Sequence, residues 1–312
     1  MGKLQLRGLY PATVTPFTES YAVDWDALDA HLAHVAASEG VQGLVVNGGV
    51  AELLTLKADE RPRVIQRTLD LRGEGQLVIA GIEARNADDA VAMGVEAREA
   101  GAEALLVLPP FDQRALRKLA THTPAVMAFF ERLDREVGLP MIVFQYPQKS
   151  GCAYDLATLE ALAGLEHVVG IKAAAQDVTD YIELYDRLGD RLSVLAASDS
   201  PPLLGMLLHG THGALIGISA IEPASWAQIL AAAADGDATL AVKRFQQVAL
   251  PIMSAVFENQ KRVGPVSDAA AVKEALVALG QLPSSRVRPP AVDVTDEDRR
   301  RIREAVEAAG LR

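Results

Sequence analysis

Eight short runs rich in β-branched residues, each followed by a stretch with helical periodicity, narrow most sharply what this chain can fold into. Strands are expected over 9–17, 43–46, 77–82, 104–108, 140–146, 168–174, 192–197 and 213–219. Helices are expected between them over 24–38, 60–70, 87–100, 116–136, 156–163, 179–188 and 202–209. Pro124, early in the fourth, marks a kink or a restart. The spacing suits right-handed parallel crossovers. A closed (β/α)8 barrel of roughly 250 residues is the natural outcome. Further helices follow over 225–234, 238–257, 269–279 and 296–309. The predicted fold is thus α/β, a (β/α)8 TIM barrel with a C-terminal helical extension. Its strands and most helices fall in 1–222. The last barrel helix and the extension fall in 223–312, as one structural unit with the barrel.

Composition excludes several classes of function. The net charge of −11 argues against nucleic acid and against anionic membrane surfaces as partners. A single cysteine, Cys152, allows no internal disulfide and points to a reducing compartment. Residues 1–6 lack the apolar run of a signal peptide, and no apolar run reaches the roughly 18 residues of a membrane span. A soluble, cytoplasmic protein is expected.

One residue inside the pattern is out of character. The stretch 167–175 reads as a strand apolar on both faces, as in a parallel sheet covered by helices, yet it carries Lys172. Gly170 and Ala174 share its face and leave space beside the amine. Burial disfavours the ammonium, lowers its pKa and makes the neutral amine a nucleophile towards carbonyls. Taken alone, the stretch equally allows a lysine at a strand end that snorkels to solvent.

In a barrel, chemistry gathers at the C-terminal strand ends. These offer Thr15; Asn47, Gly48, Gly49 and Glu52; Glu83 and Arg85; Phe111 and Asp112; Phe144, Gln145, Tyr146 and Lys149; Lys172; Ser198 and Asp199; Ser219 and Glu222. Successive N–H groups at Gly48-Gly49-Val50 can form an anion nest for a small carboxylate, or simply a tight turn. Glu52 is expected to cap backbone N–H groups. Tyr146 and Phe144 share a face. Tyr146 can relay protons or serve as an aromatic plug. Lys149 can attract a second acidic group or remain solvated. Cys152 reads as inert. His31 and His34, three apart on one helix, read as non-ligands. No His/Asp/Glu cluster has metal-site spacing, and the Gly-x-Ser-x-Gly elbow and the phosphate-binding P-loop are absent. No cofactor and no metal are expected.

Several motifs in order give the whole chain a family likeness. They are Thr15-Pro16-Phe17, Gly48-Gly49-Val50-Ala51-Glu52, 144–151 (FQYPQKSG), Gly170-Ile171-Lys172, Gly213-Ala214 through Ser219, and Val287-Arg288-Pro289-Pro290. With these the chain resembles the dihydrodipicolinate synthase / N-acetylneuraminate lyase family of class I, Schiff-base aldolases. The resemblance implies a (β/α)8 barrel with a helical extension, usually a tetramer, and makes Lys172 the Schiff-base residue. Departures stand beside it. Gly49 and Val50 replace the family's loop hydroxyls, Phe144 its catalytic tyrosine, and Lys149 its carboxylate-binding arginine. The tyrosine after strand four falls near Phe111.

The expected function is therefore a lyase, aldolase or dehydratase, acting on a small pyruvate-type 2-oxo acid through Lys172. Dihydrodipicolinate synthase activity itself is not expected. Tyr146 would supply the missing hydroxyl. Gly48, Gly49, Val50, Phe144, Lys149 and Ser219 would bind substrate. The expected partners are this small molecule and further copies of the chain, as a tetramer or dimer. The alternatives are an altered member that binds a metabolite without aldol chemistry, or an imine hydrolase or deaminase.

Overall fold

A computed structural model describes residues 3–110, 114–257 and 267–311. Its centre is an eight-stranded, wholly parallel sheet. The strands are β1 (Gly8–Leu9), β2 (Gly43–Val46), β3 (Leu77–Ile82), β4 (Ala104–Val107), β5 (Met141–Gln145), β6 (Val168–Ala173), β7 (Ser193–Ala196) and β8 (Gly213–Ala214). Their order is β1-β8-β7-β6-β5-β4-β3-β2, and parallel bridges Leu9–Val41 and Ala12–Val45 join its two ends into a barrel. The intervening helices are α1 (Trp25–Ala37), α2 (Glu60–Leu71), α3 (Ala87–Glu99), α4 (Thr123–Glu136), α5 (Leu156–Leu162), α6 (Val178–Leu188), α7 (Pro202–His209) and α8 (Pro223–Ala234). The extension holds α9 (Ala238–Arg244), α10 (Leu250–Phe257), α11 (Asp268–Ala278) and α12 (Asp296–Ala308).

The predicted architecture is present, and its irregularities have local causes. The run 9–17 contains Pro11 and Pro16, which cannot donate to a ladder. It pairs regularly only over β1 and then touches neighbours at Ala12 and Phe17. The expected strand 213–219 is regular only over β8; the Leu215 N–H still donates to the Ala196 carbonyl (3.0 Å), and the chain then turns into a 3-10 helix over Gly217–Ala220, where the Ile218 N–H donates to the Asp199 carboxylate (3.1 Å). At Pro124 the helix restarts: His122 caps the Ala125 N–H and the proline sits in the first turn of α4. Between α9 and α10 the chain widens into a π turn over Phe245–Ala249, just before Pro251, whose ring cannot supply the next helical donor.

Two apolar layers hold the barrel. Leu6, Tyr10, Val45, Ile79, Leu106, Ile142, Val169, Leu195 and Leu215 fill its interior, while a larger set packs sheet against helices. β6 is bulged: Met141 pairs with Val168, but Ile142 pairs with Gly170, so Val169 is extra. Beyond the bulge, Lys172 stands beside Phe144 of β5 on one side and Leu195 of β7 on the other.

The extension is fastened to the mouth of the barrel by buried charges. Lys273 of α11, with no exposed surface, donates to the Glu52 carboxylate and to the Arg286 carbonyl (2.9 Å). The other Glu52 oxygen accepts the Arg288 backbone N–H (2.9 Å). The Arg288 guanidinium grips Glu60 through two bonds (2.7 and 3.0 Å) and donates to the carbonyls of Thr55 and Tyr21. Both cations lie 4.4 Å from the centre of the Phe17 ring.

Removing one partner of a buried pair strands the other charge, at about 3–5 kcal/mol. Lys273→Met is expected to lower the free energy of urea unfolding by that amount, and Glu52→Gln/Lys273→Met by less than Lys273→Met alone. A loss below about 1 kcal/mol would mean that packing alone holds the extension. Gly81 of β3 generates a second expectation. A Cβ there would lie 2.1 Å from the Asn47 carbonyl oxygen and 3.1 Å from the Gly48 Cα. Gly81→Ala should therefore displace the 47–50 loop, lower stability by about 1–3 kcal/mol and speed amide exchange at Gly49 and Val50. Unchanged exchange at those amides would refute it.

Candidate active site

Lys172 is 9% exposed, and burial lowers its pKa to about 8, against the pull of Asp199. Its Nζ stands 3.9 Å from the centre of the Phe144 ring, whose electron-rich face attracts a cation. Phe144 in turn meets Tyr146 edge to face, with ring centres 4.5 Å apart. Register makes this arrangement. Phe144 and Lys172 are partners across neighbouring parallel strands, so their side chains enter the barrel at one level.

Above the amine is a cavity of about 380 Å³. Gly48, Gly49 and Val50 line it from the β2 loop, Phe144 and Tyr146 from β5 and its end, and Asp199 from beyond β7. Gly217, and Phe257 and Asp268 of the extension, complete the wall. Among the described residues, the N–H groups of Gly49 and Val50 have no hydrogen-bond partner. A Cβ added at Gly48 or Gly49 would meet nothing within 4 Å, so the turn borders open space. A cleft of about 870 Å³ adjoins this cavity and shares Asp199 and Phe257 with it. Lys149, Gln176, Ser200 and Arg301 line the cleft.

Asp199 is the second ionisable group of the cavity. Burial pushes its carboxyl up to about 6, while Lys172 and the N–H groups of Ile218 and Gly217 pull it down. The pair is thus an amine that sheds its proton near pH 8 and a carboxyl that sheds its proton near pH 6. With the Gly49-Val50 turn lining the same cavity, its N–H groups without a partner among the described residues, the arrangement can attack a carbonyl beside a carboxylate and exchange protons with the adduct.

The structure brings together Lys172, Tyr146, Phe144, Gly48, Gly49 and Val50. It sets Lys149 apart, exposed in the adjoining cleft. Ser219 is fully buried, its hydroxyl donates to the Ile216 carbonyl (2.8 Å), and it does not line the cavity. Glu52 has the structural role expected of it, but its N–H partner is Arg288, 236 residues away. Gln145 clamps both backbone groups of Tyr154 (2.8 and 3.1 Å). Thr15 is buried, and its hydroxyl has no partner among the described residues. Arg85 faces a different cleft, with Leu54 and Pro110. His31 is buried and accepts the Val14 N–H, with its pKa held near 3 by burial. Phe111 and Asp112 lie outside the described residues. Phe257 and Asp268 were not legible as site residues, because only the docking of the extension brings them there. Among the described residues there is no cluster of three or more His, Cys, Asp or Glu able to hold a metal ion, and no helix long and apolar enough to cross a membrane.

Comparison with known proteins places the chain in a family. Two relatives are the 4-hydroxy-tetrahydrodipicolinate synthases of Bradyrhizobium diazoefficiens and Acidothermus cellulolyticus. The first is 27% identical over 310 residues (99% of this chain, 98% of the relative), the second 30% over 306 residues (96% and 91%). Solved structures share the fold. Dihydrodipicolinate synthase from Acinetobacter baumannii, complexed with pyruvate, superposes with a TM-score of 0.83 at 24% identity (98% of this chain, 99% of that chain). YagE, a prophage protein from E. coli K12 in complex with pyruvate, does so with a TM-score of 0.85 at 22% identity (98% and 99%). The sequence pattern of one family covers residues 5–309, and by that match the chain belongs to the dihydrodipicolinate synthetase family, enzymes of the class I aldolase type.

Proposed function

We propose that the protein is a lyase that forms a Schiff base between Lys172 and a small 2-oxo acid of the pyruvate type. The observation that carries this reading is the buried amine, with its pKa lowered to about 8, sharing one cavity with the Gly49-Val50 turn, whose N–H groups have no partner among the described residues. The neutral amine attacks the C2 carbonyl. The C–N bond forms and the carbonyl electron pair moves to oxygen, which takes a proton to give a carbinolamine. The hydroxyl then leaves as water, and the nitrogen lone pair closes the iminium. Gly49 and Val50 N–H groups hold the substrate carboxylate, in a pocket that Gly48 keeps open. Tyr146 supplies the hydroxyl that hands a proton to the departing oxygen.

Phe144 holds the iminium differently from a hydroxyl residue. Its ring face lies against the nitrogen that becomes cationic, a contact worth about 0.5–2 kcal/mol. The ring donates no proton. Together with the unhydroxylated Gly49-Val50 turn, this supports an activity other than dihydrodipicolinate synthase. Lys149 and the adjoining cleft give room for a substrate tail with a second acidic group. The single, buried cysteine suits a reducing cytoplasm. Leu54, 74% exposed near the mouth, suits contact with further copies of the chain.

Incubation with pyruvate and borohydride should add the reduced pyruvyl group to Lys172, located by peptide mass spectrometry, and Lys172→Ala should remove it. Trapping should accelerate as pH rises through about 8, because the neutral amine fraction falls about tenfold for each pH unit below that value. An unmodified Lys172 would overturn the reading for pyruvate-type substrates. Tyr146→Phe should slow trapping by about 10² if its hydroxyl protonates the leaving oxygen. Trapping at the wild-type rate would assign that proton elsewhere.

A further inference from the structure

Two protons have to move in this chemistry, and they ask for different groups. The oxygen leaving C2 needs a proton donor. The C3–H bond of the iminium needs a base that is unprotonated near neutral pH and becomes a usable acid afterwards. A phenol, with a pKa near 10, is poorly matched to the second task. Lys172 is itself bound in the adduct.

The neighbours of Lys172 differ on its two flanks. On the β5 side stands Phe144, a ring with no proton to exchange. On the β7 side the register partner is Leu195, and the chain four residues further on reaches Asp199 at the lip of the barrel. Asp199 lines the Lys172 cavity, and its carboxylate accepts the Ile218 N–H (3.1 Å). It lies against Gly217, where a Cβ would be 3.5 and 3.7 Å from its oxygens and 3.1 Å from Val50 Cγ1. The carboxylate and the anion-binding turn therefore border the same corner. A carboxylate has about four acceptor positions, so the anchoring bonds leave acceptor capacity for a further partner in a residue that lines the cavity.

We propose that Asp199 is the base that takes the C3 proton from the Lys172 adduct. This rests on the Schiff-base reading above. In the iminium, the Asp199 carboxylate forms an O–H bond with the C3 hydrogen. The C3–H pair becomes the C2–C3 double bond, and the C=N pair returns to nitrogen. The product is a neutral enamine beside a neutral carboxylic acid. Returning the proton to C3 reverses the step, and attack of the enamine on an electrophile continues it. Burial keeps Asp199 near the pKa such a base needs. Among the described residues, the ionisable groups lining the same space are Lys172, Asp268, Glu52, Glu83 and Tyr146 in the cavity, and Lys149 and Arg301 in the cleft. Lys172 loses its charge in the enamine, and the proton gained by Asp199 neutralises the carboxylate at the same time. No uncompensated buried charge is left at either end of the step.

The test separates Schiff-base formation from proton removal. Borohydride trapping with pyruvate reports the first, and exchange of the pyruvate methyl protons into D2O, followed by NMR, reports the second. The wild type should do both, with exchange per trapped adduct falling as pH drops through about 6. Asp199→Asn should be trapped within about threefold of the wild-type rate, while exchange falls by about 10² or more and loses that acidic limb. Asp199→Glu should restore part of the exchange together with the limb. Undiminished exchange in Asp199→Asn, or trapping and exchange lost together in a variant that melts cooperatively, would overturn the proposal while leaving Lys172 in place. Should Asp199→Asn fail to melt cooperatively, the wild-type profile and Asp199→Glu decide. A wild-type exchange rate that, per trapped adduct, ignores pH between 5 and 7 overturns it. Failure of the wild type to be trapped removes the Schiff-base reading and this one with it.

Discussion

Four buried charges around the ring of Phe17 hold the mouth of this barrel together. Glu52 and Glu60 come from the segment after β2, and Lys273 and Arg288 from the far end of the chain. Taking any one of them out of water alone would cost several kcal/mol. The geometry therefore has to be complete or absent. Glu52 receives a lysine and a backbone N–H, and Arg288 satisfies a carboxylate and two carbonyls. The consequence is positional. The Gly48–Val50 turn is locked just upstream of Glu52, and α11 is locked with Asp268 at its start. Two walls of the cavity, far apart in sequence, are thus set by one electrostatic arrangement.

Inside that frame the cavity is poised between charged and neutral states. A buried ammonium and a buried carboxylate each prefer neutrality, and each favours the other's charge. The Phe144 ring adds attraction for a cation without adding a proton donor. An iminium bound to Lys172 keeps the positive charge that the ammonium had, in the same place. In the proposed chemistry the ring and Asp199 would serve the resting lysine and the covalent adduct alike, which would lower the electrostatic cost of exchanging one for the other.

The barrel was legible because its signals are local. β2 and β3 run over the expected residues, and β4 to β7 differ only at their ends, since β-branched runs bounded by glycine and proline carry their own boundaries. β1 and β8 were read too long, and for instructive reasons. Prolines remove donors from the first, and the second gives way to a 3-10 helix over Gly217–Ala220, where the Ile218 N–H donates to Asp199. Lys172, Phe144 and Tyr146 were legible as a group because strand register and alternation place them. Ser219 was not. It lies on a 3-10 turn rather than a strand, so alternation gave the wrong direction for its hydroxyl. The partners of Glu52 lie 221 and 236 residues away, and no local pattern announces them.

These facts divide the site into a part that register determines and a part that loops determine. Moving Lys172 by one residue would turn it out of the barrel into the helical layer, so the amine is bound to its place by the whole sheet. The groups that serve it are bound less tightly. A hydroxyl on β5 can become a ring if another strand end offers a carboxyl with a suitable pKa, since proton transfer requires reach and matched acidity rather than one residue type. Phe144 and Asp199, on opposite sides of Lys172, fit such an exchange: in the chemistry proposed above the first stabilises charge and the second carries the proton. A barrel can in this way retain its nucleophile and change the route of its protons without altering a strand.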